Sequence, residues 1–170
     1  MAVKSKYVLY YVEGDDEKKL LDVLKTDLRL IKPGKIQKLN VTTQEITVAR
    51  LRTLSRDTMV VLVFDTDAGN IEILKSNIRI LENCKAVSDI VVVPQVPNLE
   101  GELVRSCDIR NIKDLLNSKT NGEFKSDIMS VSNLAKKLQE HKFDIRVFWS
   151  GTPTGTYQDI DNHAAKVKLI

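Results

Sequence analysis

The stretch Val60-Val-Leu-Val-Phe-Asp65-Thr-Asp67-Ala-Gly69 decides how this chain is expected to fold. A strand that is covered on both faces reads as a continuous apolar run. The run therefore predicts a buried strand over residues 59–64, with Asp65 and Asp67 directly after it. Alternate residues of an extended chain lie on the same face. Both carboxylates can therefore reach one cation, while Thr66 points away.

The stretch Tyr7-Val-Leu-Tyr-Tyr-Val-Glu13-Gly14 has the same character near the N-terminus. It predicts a strand over residues 6–12, after which Gly14 lets the backbone turn. Open parallel sheets bind their ligands at the carboxyl ends of the strands. If the two strands are neighbours, Glu13 joins the aspartate pair, and a divalent cation is the simplest neutraliser of three carboxylates. Glu13 is then either a ligand or a general acid or base.

Strands and helices alternate along the rest of the chain. The other predicted elements are a helix through Leu20–Ile31 that Asp15 or Asp16 caps, an edge-like strand at 35–41, a weaker helix at 44–55, a helix through Ile71–Leu81, a strand at Ile90–Val93 ended by Pro94 and Pro97, helices within 100–117 and around Val131–Leu138, an exposed loop at 117–127, and a last strand at Ile145–Trp149. This alternation predicts an α/β fold with a mostly parallel sheet of about four to five strands and helices on both faces. We expect one domain over 1–170, with its core in 6–94 and a helical and strand extension over 95–170.

Composition limits the classes of protein to consider. A chain of 170 residues can bury a sufficient core, and its net charge of +3 permits nucleic-acid binding without demanding it. Cys84 and Cys107 lack the spacing of a metal site and predict reduced thiols. No run approaches the roughly 18 apolar residues of a membrane span, and the N-terminal run is too short for a signal peptide. We expect a cytoplasmic protein without membrane association.

Glu13-Gly14 after one strand and Asp65-Thr-Asp67 after a later strand together resemble the signature of the Toprim domain, which occurs in topoisomerases, bacterial primases and several nucleases. The resemblance covers residues 6 to about 94 and implies a Toprim-like, Rossmann-like sheet. It implies that Glu13 acts as the general acid or base and that Asp65 and Asp67 hold Mg²⁺ or Mn²⁺. Gly69 matches a glycine that often follows the aspartates.

The segment Pro97-Asn-Leu-Glu100-Gly-Glu102 looks like the Pro-x-x-Glu element of the Toprim nucleases of the OLD/RloB-like group. The resemblance implies that Glu100 joins the metal ligands, with Glu102 as the alternative. Acidic residues are also favoured in the first turn of any helix by the helix dipole. The group implies a metal-dependent nuclease that acts on DNA or RNA, with a role in defence against phage.

Basic residues late in the chain are candidates for contact with nucleic-acid phosphates. Lys136, Lys137 and Lys166 are the ones we predict, and Lys119, Lys125 and Lys142 also lie in the late loop and helix. OLD-type nucleases also have a lysine after the acidic motifs, for which this sequence offers no single match.

Two other functions remain open. One is a noncatalytic Toprim module that binds nucleic acid or serves as a subunit of a larger complex, and a homodimer or a partner protein is open as well. The other is a receiver-like domain, in which Asp15 and Asp16 bind magnesium and Asp65 accepts phosphate.

Overall fold

A four-stranded, all-parallel sheet is the centre of the computed structural model, which describes residues 4–170. The strands are β1 (Tyr7–Val12), β2 (Lys35–Lys38), β3 (Thr58–Asp65) and β4 (Val87–Gln95). Their order across the sheet is β2-β1-β3-β4. The predicted α/β class with a parallel, helix-flanked sheet is confirmed.

Seven α-helices accompany the sheet in the described part of the chain. They are α1 (Asp15–Asp22), which continues as a π-helical segment (Val23–Asp27), α2 (Val48–Arg52), α3 (Ile71–Glu82), α4 (Leu99–Ser106), α5 (Lys113–Leu116), α6 (Phe124–Ser130) and α7 (Leu134–Glu140). Two 3₁₀ turns follow at Gly155–Tyr157 and Ala164–Lys166. None of the helices described in residues 4–170 is long and apolar enough to cross a membrane.

Both faces of β3 are buried, as its continuous apolar run predicts. Every residue of the strand before Asp65 is buried. Val61 and Val63 face a cluster that includes residues of α1 and α4–α7. Val60 and Leu62 face a second cluster with residues of α3. The two clusters place helices on opposite sides of the sheet.

The predicted strand at Ile145–Trp149 is wrong. The N–H groups of Val147 and Phe148 donate to the carbonyl of Asp144, so the segment forms a turn. Ile145, Phe148 and Trp149 are nevertheless buried in the core, with Phe148 and Trp149 at most 1% exposed. An apolar run reports burial, and here burial comes from packing rather than from strand pairing.

Several predicted boundaries also differ from the structure. β4 continues through Pro94 to Gln95, which an edge strand tolerates because one side of its backbone needs no partner. The first helix ends at Asp27, and Gly14 is its N-cap instead of Asp15 or Asp16. The predicted loop at 117–127 contains the start of α6, in which Phe124 and Ile128 face the core. β2 and α2 are shorter than predicted.

Asn77 of α3 fixes the segment that supports the turn after β3. Its side-chain amide donates to the carbonyls of Val41 and Gln44, both at 2.8 Å, and its oxygen accepts from the N–H of Ile46 at 2.8 Å. Thr42 in that segment accepts a hydrogen bond from the N–H of Asn70. The fully buried Asn77 therefore holds a loop on which the 65–70 turn rests.

Replacing Asn77 with Leu is expected to lower the free energy of unfolding by about 2–4 kcal/mol, because three backbone groups lose their partner. Urea denaturation followed by circular dichroism measures this. Asn83→Ala is the matched control, since Asn83 is exposed and makes one side-chain bond to its own helix. Equal losses in the two variants would contradict the anchoring role.

Candidate functional site

Four carboxylates meet in a cleft at the carboxyl edge of the sheet. Glu13 follows β1, Asp65 ends β3, Asp67 lies in the turn after it, and Glu100 lies in the first turn of α4. Strands β1 and β3 are paired in register up to Tyr11 and Leu62, so they end side by side. The cleft has a volume of about 650 Å³. We call it the acidic cleft.

The tightest group of oxygens contains a residue that the sequence analysis missed. One carboxylate oxygen from each of Glu13, Glu17 and Asp65 lies within 4.8 Å of the other two. Glu17 is 4% exposed, and its Oε2 accepts a hydrogen bond from the N–H of Gly14 at 3.0 Å. A glutamate three residues after an N-cap is a usual helix-capping pattern. The sequence pattern therefore accounts for Glu17 as a capping residue and does not indicate that its carboxylate lies beside Glu13 and Asp65.

Burial and repulsion both act on this group. Burial raises the pKa of Asp65, and the nearby charge of Glu13 raises it further, while a hydrogen bond from Gln95 opposes the rise. Burial also raises the pKa of Glu17, with contributions from Asp16 and Asp65. The site therefore favours protons, or another positive charge, near these carboxylates.

Asp67 and Glu100 are held on the same cleft by hydrogen bonds between the turn after β3 and the segment that leads from β4 into α4. The N–H groups of Thr66 and Asp67 donate to the carbonyl of Pro97 at 2.8 and 3.1 Å. The side-chain amide of Asn98 donates to Oδ2 of Asp67 at 2.9 Å. These bonds tie the end of β3 to the start of α4, where Glu100 lies.

Glu102, the predicted alternative ligand, does not face the acidic cleft. Its side chain is fully buried, and its carboxylate accepts from the N–H groups of Val96 and Trp149 and from the Arg105 guanidinium. These bonds engage both oxygens, so its role is structural and Glu100 is the one that lines the cleft. The helical phase does not separate the two, because Glu102 lies three residues after buried Leu99 and Glu100 lies three residues before buried Leu103.

Gln95 fixes the orientation of Asp65. Its Nε2 donates to Oδ1 of Asp65 at 2.8 Å, and its Oε1 accepts from Nε1 of Trp149 at 3.1 Å. Gln95 is fully buried. The Trp149 bond determines which end of the amide faces Asp65. The turn at 145–149, which was predicted as a strand, thus orients Asp65 indirectly, through the hydrogen bond from Trp149 to Gln95.

Two cations lie on the wall of the cleft, opposite the carboxylates that end the strands. Arg110 and Lys125 line it together with Asn111 and Asn121. Nζ of Lys125 lies 3.9 Å from Oε1 of Glu100, and that charge raises the pKa of Lys125. Lys125 is 71% exposed, so its amine can also reach a ligand.

The three lysines predicted to bind nucleic acid do not line the cleft. Lys136 and Lys137 pair with Glu140 at 3.8 and 3.6 Å. Lys166 pairs with Asp89 at 3.1 Å. Each of these lysines has an acidic neighbour within its own part of the surface.

No protein-family model, curated protein or solved structure matches this chain.

The donor set fits a hard divalent cation. Carboxylate oxygens are the ligands that Mg²⁺ and Mn²⁺ prefer. Three of them converge within 4.8 Å, and burial raises the pKa values of Asp65 and Glu17, with neighbouring carboxylates raising both further. Asp67, exposed at the cleft, offers a further oxygen beside this group.

Asp65→Asn is expected to stabilise the protein at alkaline pH when divalent cations are chelated. Because the pKa of Asp65 is raised on folding, its favourable contribution is present in acid and is lost as the pH rises through the raised value. The Asn amide does not titrate. The free energy of unfolding of the variant, relative to that of wild type, is therefore expected to rise by about 1–3 kcal/mol between about pH 5 and pH 8.5.

Denaturation curves at several pH values with EDTA measure this difference. Asp159→Asn, at an exposed position, is the control and should show no comparable change. A stability difference between Asp65→Asn and wild type that stays constant with pH would contradict the burial and repulsion described for Asp65.

Proposed function

We propose that this protein is a metal-dependent nuclease that hydrolyses phosphodiester bonds in DNA or RNA. The observation that carries the proposal is the convergence of Glu13, Asp65, Asp67 and Glu100 in one cleft at the carboxyl edge of a parallel sheet. Four carboxylates around one cleft have no evident structural purpose there, in contrast to Glu102, both of whose oxygens accept hydrogen bonds.

Asp65 and Asp67 would hold Mg²⁺ or Mn²⁺, with Glu17 and Glu100 as the further oxygens of the cleft. The cation would supply neutralising charge for the phosphate and make a water molecule more acidic. Gln95 keeps Asp65 oriented, and Asn98 does the same for Asp67. Both ligands are therefore positioned before a cation arrives.

Glu13 is the residue that we assign to proton transfer, because it lies beside Asp65 at the carboxyl end of β1. It would orient and deprotonate the attacking water. Lys125 and Arg110 lie on the same cleft and would contact the phosphate of the substrate.

Membership in the Toprim family is part of the same proposal. The order Glu-Gly after β1 and Asp-x-Asp after β3, on neighbouring parallel strands, supports it. A cytoplasmic protein that acts on phage nucleic acid remains the biological role that the OLD/RloB-like resemblance suggests.

Asp67→Asn is expected to lower cleavage at least about 100-fold, since it removes one charge from the cation site without filling the cleft. Plasmid, single-stranded DNA and transfer RNA with Mg²⁺ or Mn²⁺ are the substrates to test. Asp159→Asn is the control and should cleave like wild type. If wild type cleaves none of these substrates, the nuclease proposal fails, and a noncatalytic nucleic-acid-binding module becomes the better description.

Binding of Mn²⁺ is expected to raise the melting temperature of the wild-type protein. A cation at a hundredfold excess over its Kd stabilises the folded state by about 2.7 kcal/mol. The shift should be lost in Asp65→Asn and reduced in Glu100→Gln. Glu72→Gln, an exposed acid in the first turn of α3, is the matched control. A Glu100→Gln variant that keeps the full shift would remove Glu100 from the ligand set.

A further inference from the structure

A second groove lies at the opposite edge of the sheet from the acidic cleft. It is bounded by the start of β1 at Tyr7, the start of β2 at Lys35 and the start of β3 at Thr58, and its volume is about 950 Å³. The groove exists because α2 has only five residues and buries none of them fully. This short helix leaves part of β1 and β2 uncovered on its side of the sheet.

The charges in this groove are opposite to those in the acidic cleft. Lys6, Lys35 and Arg50 line it, and no aspartate or glutamate does. Lys6 pairs with Asp57 at 3.6 Å. Within residues 4–170, neither Lys35 nor Arg50 has a carboxylate within ion-pair distance. We call it the cationic groove.

Arg50 is held in place before any ligand binds. Its guanidinium carbon lies 5.8 Å from the centre of the Tyr11 ring, and its Nη1 donates to Oε1 of Gln37 at 3.5 Å. A guanidinium oriented in this way loses less conformational freedom when it binds an anion. Arg50 is therefore an oriented cation of the groove, whereas the side chain of Lys35 is exposed to solvent.

The lining also includes apolar side chains and an aromatic ring. Leu9, Ala49 and Leu54 provide aliphatic surface. The side chain of Tyr7 is 54% exposed and lines the same groove. A flat ring and aliphatic surface beside unpaired cations suit a ligand that joins a planar apolar group to an anion.

We propose that the cationic groove binds a nucleoside phosphate, with the phosphate at Lys35 and Arg50 and the base against Tyr7 and Leu54. Its volume lies in the range of pockets that enclose small organic ligands, and an inorganic anion would leave most of it empty. The exposed Ser55 along the groove suits the polar edge of a base or sugar better than an acyl chain, whereas the hydroxyls of Thr53 and Thr58 donate to backbone carbonyls. This site is independent of the nuclease chemistry proposed for the acidic cleft.

Isothermal titration calorimetry with ADP and AMP tests the proposal. EDTA is present so that the acidic cleft holds no cation. We expect saturable binding of one nucleotide per chain, weakened at least tenfold by Lys35→Glu and at least threefold by Tyr7→Ala. Both positions are exposed, so the variants should fold, which their melting temperatures verify. Lys136→Glu, at another exposed lysine, should change the Kd less than twofold.

Three results would overturn the proposal. The first is that neither nucleotide saturates the protein at millimolar concentration. The second is that pyrophosphate binds as tightly as ADP and that Tyr7→Ala has no effect on the Kd. The third is that decanoate binds more tightly than ADP and competes with it. The Asp67→Asn variant should bind ADP like wild type. Its result separates this site from the acidic cleft, so the failure of either proposal leaves the other intact.

Discussion

The burial of β3 on both faces is the constraint from which the rest of the structure follows. A strand without a solvent face must pair on both sides and must be covered by helices above and below. β3 pairs with β1 and β4 in the same direction, and parallel neighbours require a crossover between them. The carboxyl ends of the strands then meet at one edge, so acids that follow separate strands in the sequence become neighbours.

Gathering these acids at one edge works against stability, and the surrounding hydrogen bonds offset that effect. Gln95 donates to Asp65, Gly14 donates to Glu17, and Asn98 donates to Asp67. Each of these donors belongs to the sheet or to a helix start, so the carboxylates are held by rigid elements. Hydrogen bonds that hold like charges close together, at a cost in stability, are typical of a binding or catalytic site.

The Asp67 turn shows the same reliance on neighbouring segments. Gly69 has a φ of 82°, and a Cβ there would collide with Thr42. The hydroxyl of Tyr157 donates to the carbonyl of Ala68 at 2.8 Å on the same turn. The glycine after the aspartates is thus required by backbone conformation and close packing, independently of any family resemblance.

The sequence predicted the parts of the fold that have a clear period and missed those that depend on tertiary contacts. Continuous apolar runs predicted β1 and β3, and these strands in turn predicted that the acids directly after them lie at the carboxyl edge of the sheet. The run at 145–149 is also mostly apolar, although it contains Arg146. Buried Glu102 accepts a hydrogen bond from the N–H of Trp149 there, and no local sequence pattern predicts that bond. Glu17 was missed because its capping role is sufficient to explain its position.

The distribution of charge explains why a net charge of +3 says little about partners. Four carboxylates and two cations line the acidic cleft, whereas three cations and no carboxylate line the cationic groove. Without a cation, the acidic cleft repels the phosphate that the proposed nuclease must bind, because Lys125 is already engaged with Glu100. A divalent cation would cancel part of that repulsion and compete with Lys125 for Glu100, which would release the lysine toward the phosphate. On the proposed function, binding of the metal and binding of the nucleic acid therefore favour each other.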